Sequence, residues 1–433
     1  MNTTADGILM EDPPLLTDIT LHEDDLTQEA MTHFSYHTEI LHAFETYRRN
    51  ILENTHLTRI GRHLLFSVID NLHTNCKKVL NYAAENVELL SGTFPIVGPL
   101  TIFGLPRSGT TFLYNLLACD PNCRAPLLTE MSVECVPPIA RSDSVKQERR
   151  LVATKLARQR REKITGRSDE MVAAHPIHAV EEDYLILRHT GIYIFLSQLM
   201  FDCQSDTDDW LNDLMSKDFA YDYHETFLHM LNSLDAPRSH WLLKSSVHSF
   251  YLDTFLRHYP QAKLIMIHRP LDAVLPSFCR TQLTAVNGFF DEADSISRDR
   301  LMKRCIQCIG KMVELIMKFR AHRHDQSDQS HNNIFDVTYD ILIKSPIETV
   351  RRIYGHFDLR WSNEFEAAME AWIRENPQGK QGRHTYSLSE FGLTHEDIEA
   401  QYADYINLFL RSSATDCAQT NQLLPTNEQP ESL

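Results

Sequence analysis

Two glycines stand five residues apart in the stretch GLPRSGTT (104–111), which has almost the spacing of a phosphate-binding P-loop. The lysine that reaches a nucleoside triphosphate in such loops is missing, because Thr110 stands at its position and Arg107 is the only cation of the stretch. A strand–loop–helix unit of this kind directs backbone N–H groups and a helix dipole at an anion. Gly109 lets the backbone approach that anion, and Thr110 and Thr111 add hydroxyl donors. The stretch therefore predicts an anion site.

A nucleoside-triphosphate site also needs Mg²⁺, which is normally held with the help of an acid at the end of a strand. The apolar run KLIMI (263–267) ends instead in His268 and Arg269. The sequence therefore favours an anion that needs no metal. A phosphosulfate fits, because a transferable sulfuryl group carries less charge than a γ-phosphoryl group. A P-loop kinase or NTPase is the alternative.

The elements that must position this loop are short apolar runs, each followed by a helical pattern. Four runs predict strands, at residues 94–104, 240–244, 262–269 and 332–340. The alternation predicts an α/β fold, with a P-loop-type parallel sheet flanked by helices and a helical N-terminal extension. Ligands of such sheets bind at the carboxyl ends of the strands, so the loop, Lys244 and His268–Arg269 are expected to converge.

The loop together with HRPLDAVLPS (268–277) resembles the PAPS-dependent sulfotransferases, nearest to the branch with an arginine-containing 5′-phosphosulfate loop. The resemblance covers roughly residues 93–400 and implies 3′-phosphoadenosine-5′-phosphosulfate (PAPS) as co-substrate, with no metal. It implies that Arg269 and Ser277, eight residues apart, hold the 3′-phosphate. The residues it implies for the 5′-phosphosulfate are Pro106, Arg107, Ser108, Gly109, Thr110 and Thr111.

A third segment, GKQGRHTYSLSEFGL (379–393), resembles the glycine- and basic-rich nucleotide loop of the same family. It offers Arg383 as a phosphate donor, together with Lys380 and His384. The alternative for this segment is an exposed basic loop.

Lys244 ends the predicted strand HWLLK, where relatives place a lysine that contacts the transferring sulfuryl group. A flexible cation there could stabilise charge developing on the bridging oxygen. Cytosolic relatives carry a catalytic histidine two residues after this lysine, but this chain has Ser246 at that position. The general base therefore cannot be carried over directly.

Three candidates for the general base remain. Glu130 stands at a place that resembles the glutamate base of the arginine-loop branch. His248 follows four residues after Lys244, and the pair Glu181–Glu182 comes next.

The reaction that the resemblance implies is an in-line displacement. A base deprotonates a hydroxyl or amine of the acceptor, the acceptor atom attacks sulfur, and 3′,5′-ADP leaves. The acceptor is left open between a small molecule, a glycan and a peptide. A family member that binds the nucleotide and transfers nothing is a further alternative.

The composition limits the partners. The chain of 433 residues has a formal net charge of −17, which disfavours nucleic acid and anionic membranes as partners. No apolar run reaches the roughly 18 residues that span a bilayer, and residues 1–16 do not resemble a signal peptide. Nine cysteines without framework spacing indicate a reducing compartment, so we expect a cytoplasmic protein. A homodimer stays open.

The order of these patterns predicts four regions. Residues 1–27 form an acidic tail, and residues 28–92 form a helical N-terminal segment. Residues 93–411 form the sulfotransferase domain, and residues 412–433 form a polar C-terminal tail.

Overall fold

A computed structural model describes most of the chain. The described residues are 15–165, 178–199, 216–286, 288–291, 294–325, 333–377 and 387–411.

Five strands form the central sheet. Their bounds are Leu100–Gly104 (β1), Cys123–Arg124 (β2), His240–Lys244 (β3), Lys263–His268 (β4) and Ile334–Thr338 (β5). All neighbours are parallel and the order is β2-β3-β1-β4-β5. In register, Ile102 of β1 lies between Lys244 of β3 and Ile265 of β4. A parallel sheet flanked by helices is the fold class that the sequence predicted.

Helices surround the sheet. The α-helices are Gln28–His33, His37–Glu53, Arg59–Glu85, Thr110–Leu117, Leu128–Met131, Ser144–Thr165, Tyr184–Leu187, Ile194–Leu199, Asp218–Asn232, Leu252–His258, Leu271–Ala285, Ser295–Asp325, Tyr339–Lys344, Pro346–His356, Asn363–Glu375, His395–Gln401 and Ala403–Tyr405. The 3₁₀ turns are Val87–Ser91, Arg188–Thr190, Ser246–Phe250 and Leu388–Phe391, and Ile406–Arg411 is a π-helical turn.

Successive side chains of a strand point to opposite faces of the sheet. All positions of β1 and β3 are buried, so both faces of the sheet are covered there. Ile102 and Leu242 pack into one core, which also contains Leu113 of the helix after the loop. Phe103 and Leu243 pack into the other core. Both faces of the sheet are therefore packed against other elements of the chain.

The N-terminal helices belong to that second core, which they share with the sheet. The sequence predicted a helical segment there, and the structure contains three α-helices in it, Gln28–His33, His37–Glu53 and Arg59–Glu85. The third helix begins after Thr58, whose side chain accepts a hydrogen bond from the Gly61 N–H at 2.8 Å and donates one to the Gly288 carbonyl at 2.9 Å. The predicted boundary near residue 92 stays a prediction.

Within the described ranges, no helix combines the length and the apolar character that crossing a membrane requires.

Candidate active site

The loop between β1 and the helix Thr110–Leu117 has an unusual backbone. Gly104, Arg107 and Gly109 have positive φ angles of 116°, 65° and 98°. A Cβ atom on Gly109 would stand 2.9 Å from a ring carbon of Tyr339, so both the conformation and the space at this position require glycine. Gly109 is also the N-cap residue of the helix, and as a glycine it offers no side chain that could cap the first turn. The first-turn N–H groups are thus presented as an anion site would need.

Three side chains predicted for the nucleotide come together beside this loop. Arg107 Nε donates a hydrogen bond to Ser277 Oγ at 3.0 Å, and Arg269 donates one to the Arg107 carbonyl at 2.8 Å. The Arg269 guanidinium lies 4.2 Å from the centre of the Tyr339 ring, a cation–π contact that fixes its plane. The carboxyl ends of β1 and β4 therefore bring two arginines and a serine into one cluster.

Other loop positions serve the turn itself. Ser108 is buried and its hydroxyl donates to the Leu105 carbonyl at 2.7 Å, which closes the turn. Pro106 precedes Arg107 and is half-buried, Thr110 is buried, and Thr111 is exposed at the start of the helix.

Lys244 reaches the same helix start from the end of β3. Its Nζ donates to Thr111 Oγ1 at 3.2 Å and forms an ion pair with the Glu182 carboxylate. The Lys244 side chain is 2% exposed and that of Glu182 is 31% exposed, so the pair opens to solvent on the glutamate side. The sequence separated Lys244 and Glu182 into two hypotheses, and the structure places them in direct contact.

Two more titratable groups lie on the segment that carries Glu182. Burial raises the pKa of the Glu181 carboxyl, and the neighbouring Glu182 charge raises it further. Burial and the positive charge of Lys244 lower the pKa of His178. Sequence reasoning did not single out His178. The sequence feature that could have pointed to His178 is its position in HPIHAVEEDYL, the stretch that contains both glutamates.

Glu130 is held by its own neighbourhood. One carboxylate oxygen accepts a hydrogen bond from Arg124 at 2.8 Å, and the other accepts the Leu127 N–H at 2.8 Å. Both side chains of the Glu130–Arg124 ion pair are buried, with exposures of 1% and 3%. The structure therefore shows Glu130 with both oxygens engaged, and its role as the general base stays a prediction.

His248 is also fully buried. Its Nε2 lies 2.8 Å from Asp183 Oδ2, and its Nδ1 lies 2.9 Å from the Tyr221 hydroxyl. Both ring nitrogens are thus used within the core. Its role as the general base stays a prediction, and the geometry gives it a structural function beside Asp183.

Arg383, Lys380 and His384 lie outside the described residues, so their proposed contact with the nucleotide stays a prediction. The chain is described again from Ser387. There, Glu390 pairs with Arg280 at 2.5 Å, on the helix Leu271–Ala285 that carries Ser277. The end of the predicted nucleotide segment therefore packs on the helix of the predicted 3′-phosphate serine.

The comparisons with known proteins identify the family of the chain. Residues 99–363 match the model of the sulfotransferase family. Because this match covers more than half of the chain, the protein belongs to the sulfotransferase family and is a transferase. The family that the sequence suggested is confirmed.

Two solved structures share the fold. Sulfotransferase STF9 from Mycobacterium avium superposes with a TM-score of 0.73 at 24% identity, covering 92% of this chain and 98% of its own. Sulfotransferase STF1 from Mycobacterium tuberculosis H37Rv gives a TM-score of 0.67 at 23% identity, covering 88% and 94%. The first similarity extends into the N-terminal helices, beyond the residues that carried the sequence resemblance. Among curated proteins, none matches significantly.

Proposed function

We propose that this protein transfers a sulfuryl group from PAPS to a hydroxyl or amine of an acceptor. The observation that carries the proposal is the convergence of Arg107, Arg269 and Ser277 beside an uncapped helix N-terminus. Arginines provide forked donors that suit phosphate and sulfate oxygens. A loop with one arginine and no lysine, beside a second arginine at the end of β4, suits a phosphosulfate with a separate 3′-phosphate.

The residues fit the donor in two parts. The backbone N–H groups of residues 107–111 after Pro106, the hydroxyls of Thr110 and Thr111, and the Arg107 guanidinium would hold the 5′-phosphosulfate. Arg269 and Ser277 would hold the 3′-phosphate. PAPS supplies an activated sulfuryl group whose displacement releases 3′,5′-ADP.

Lys244 would stabilise the negative charge that develops on the departing bridging oxygen. Its ammonium is already beside Thr111 at the start of the loop helix. Because its side chain is nearly removed from water, the charge interaction there is stronger than at the surface.

We propose Glu182 as the general base. Its carboxylate contacts Lys244, next to the loop, and is partly open to solvent, from which an acceptor can approach. It would take the proton of the acceptor hydroxyl as the oxygen–sulfur bond forms. Glu181 and His178 are the alternatives on the same segment. Glu130 and His248 are less suitable because their polar atoms are engaged elsewhere.

The remaining sequence predictions enter this proposal unchanged. We propose a small molecule, a glycan or a peptide as the acceptor, a cytoplasmic location, and a domain over residues 93–411 preceded by a helical segment. A homodimer stays open.

Two measurements test the proposed function. Thermal shift with 3′,5′-ADP and with ATP·Mg²⁺ should show stabilisation by the first ligand, since a ligand that binds the folded state raises its stability. Transfer of radiolabelled sulfate from PAPS to a panel of acceptors should then give a labelled product. Stabilisation by ATP·Mg²⁺ alone would point to a kinase or NTPase. Binding of 3′,5′-ADP without any transfer would point to a non-catalytic member of the family.

A further inference from the structure

A fully buried carboxylate lies directly behind the Lys244–Glu182 ion pair. Asp183 Oδ1 accepts the backbone N–H of Lys244 at 3.0 Å. Asp183 Oδ2 lies 2.8 Å from Nε2 of His248 and 3.2 Å from Nε2 of His224. A buried ionised group needs such donors, because without them its burial is very unfavourable.

Two tyrosines complete the arrangement. The Tyr221 hydroxyl lies 2.9 Å from Nδ1 of His248, and the Tyr259 hydroxyl lies 2.6 Å from Nδ1 of His224. Burial raises the pKa of both tyrosines far above the ordinary value, so both hydroxyls keep their protons and can donate. Each imidazole can then accept at Nδ1 and donate from Nε2 to Asp183.

Asp183 is ionised in this arrangement. Burial by itself would raise the pKa of its carboxyl, but the interactions with His248 and His224, which include a hydrogen bond from each, hold that pKa well below the ordinary value. Burial lowers the pKa of His224, which keeps this imidazole neutral. One buried negative charge is therefore satisfied by three N–H donors.

The same carboxylate joins the parts of the site. Asp183 follows Glu182 in the chain, and its partner N–H belongs to Lys244 at the end of β3. His248 lies in the turn Ser246–Phe250, where Ser249 Oγ accepts the N–H of Gly104, the first residue of the loop, at 3.2 Å. The Glu182 segment, the lysine strand and the anion loop thus meet around Asp183.

We propose that Asp183 is a positioning residue that holds Lys244 and Glu182 in register with the anion loop. The inference rests on the proposed function for its kinetic consequence. The structural consequence, which is the placement and protection of the Lys244 ammonium, is independent of the proposed function.

The first variants are Asp183→Ala and Asp183→Asn. Alanine removes all three acceptor contacts. Asparagine can keep them, with its oxygen on the Lys244 N–H and its amide donating to the two Nε2 atoms once both imidazoles carry their proton on Nδ1. We expect Asp183→Ala to lower kcat by about 100-fold or more, as small misplacements of reacting groups do. We expect Asp183→Asn to stay within about tenfold of the wild type, because its contacts reproduce those of Asp183.

Nucleotide binding separates positioning from general damage. The predicted nucleotide contacts of Arg269 and Ser277 do not involve Asp183. Calorimetric Kd values for 3′,5′-ADP should therefore change less than about threefold in Asp183→Ala, well below the tenfold step that 1.4 kcal/mol represents. Asp120→Ala is the matched control, because Asp120 is buried and accepts the Tyr354 hydroxyl at 2.7 Å in the other core. It should lower the melting temperature and leave kcat unchanged.

A second readout needs no activity. Competitive acylation followed by mass spectrometry measures the reactivity of Lys244 relative to Lys146, whose side chain is 66% exposed. Asp183→Ala should raise the relative labelling of Lys244 at least severalfold, and Asp120→Ala should not. If the wild type transfers no sulfuryl group, the proposed function fails, and the labelling result still decides the placement of Lys244.

Unchanged kcat together with unchanged Lys244 labelling in a folded Asp183→Ala variant overturns the inference. If that variant does not fold, His248→Phe takes its place, since it removes one donor of the cluster and fills similar space. It should lower kcat about tenfold and raise Lys244 labelling, and no change in either measurement would overturn the inference.

Discussion

The two sides of the site are built differently. The proposed nucleotide side consists of the loop 104–111 with Arg269 and Ser277, and it offers arginines, a serine and backbone N–H groups. The proposed acceptor side consists of residues 178–183 with Lys244, and it offers carboxylates, one imidazole and one ammonium. Arginine keeps its charge throughout the useful pH range, whereas on the other side burial raises the pKa of Glu181 and lowers the pKa of His178.

The difference also concerns distance along the chain. The nucleotide side is encoded in two contiguous motifs at the ends of neighbouring strands, as its anion-binding geometry requires. Glu182 and Lys244 are 62 residues apart and meet only through packing. A change on the nucleotide side should therefore weaken ligand binding, and a change on the acceptor side should slow transfer or loosen the fold.

The largest effect is expected for Glu130→Gln. This variant tests whether Glu130 acts in transfer on the acceptor side or stabilises the folded protein. In Glu130→Gln, the buried Arg124 loses its ionised partner, so the free energy of unfolding should fall by about 3–5 kcal/mol. Urea denaturation measures this change, and Glu134→Gln on the exposed surface is the control. A stable Glu130→Gln protein without transfer activity would instead identify Glu130 as the general base.

Lys244→Ala should give the next largest effect. Loss of the cation beside the bridging oxygen should lower kcat about 10²–10³-fold, as loss of one electrostatic donor does elsewhere. The Kd of 3′,5′-ADP should change far less, because the predicted phosphate contacts lie on the nucleotide side. The exposed Lys146→Ala serves as control. If Lys244→Ala mainly weakened the binding of 3′,5′-ADP, the proposed division into a nucleotide side and an acceptor side would be wrong.

Arg269→Ala tests the nucleotide side. A charge-assisted contact contributes about 1.5–3 kcal/mol. The Kd of 3′,5′-ADP should therefore increase by a factor between roughly 10 and somewhat more than 100. Calorimetry measures the change, and Arg257→Ala is a control because the Arg257 side chain is 55% exposed and pairs with Asp218. An unchanged affinity would remove Arg269 from the predicted 3′-phosphate site.

The smallest expected effect is a change in the pH dependence of stability. It concerns His189, which follows the acceptor-side segment 178–183 in the chain. Burial, together with the nearby Arg188 charge, lowers the pKa of His189 to about 3 from an ordinary 6.5. Its contribution to stability is therefore fully present above pH 6.5 and is lost as the pH falls towards 3, because the unfolded chain takes up the proton first.

The unfolding free energy of the wild type should decrease as the pH is lowered from 6 to 5. In His189→Gln this decrease should be smaller than in the wild type by about 1.4 kcal/mol per pH unit. Urea denaturation at several pH values measures it. His395→Gln is the control, with a side chain that is 73% exposed. The same pH slope in His189→Gln and the wild type would contradict the assignment.

Sequence patterns determined the fold class and supplied the residues proposed for the nucleotide side. The predicted strand at 240–244 is the observed β3, and the predicted runs at 262–269 and 332–340 contain β4 and β5. β2 was missed, because two residues carry no periodicity and become a strand only by pairing with His240 and Trp241. Apolar runs and glycine positions are local properties, and local properties can be recognised without packing.

Tertiary structure decided the acceptor side. No spacing in the sequence joined Glu182 to Lys244, or Asp183 to His224 and His248. Glu130 and His248 had the right residue types for a base, but burial gave their polar atoms structural partners. The availability of a titratable group depends on which distant segments pack against it, and a linear motif does not contain that information.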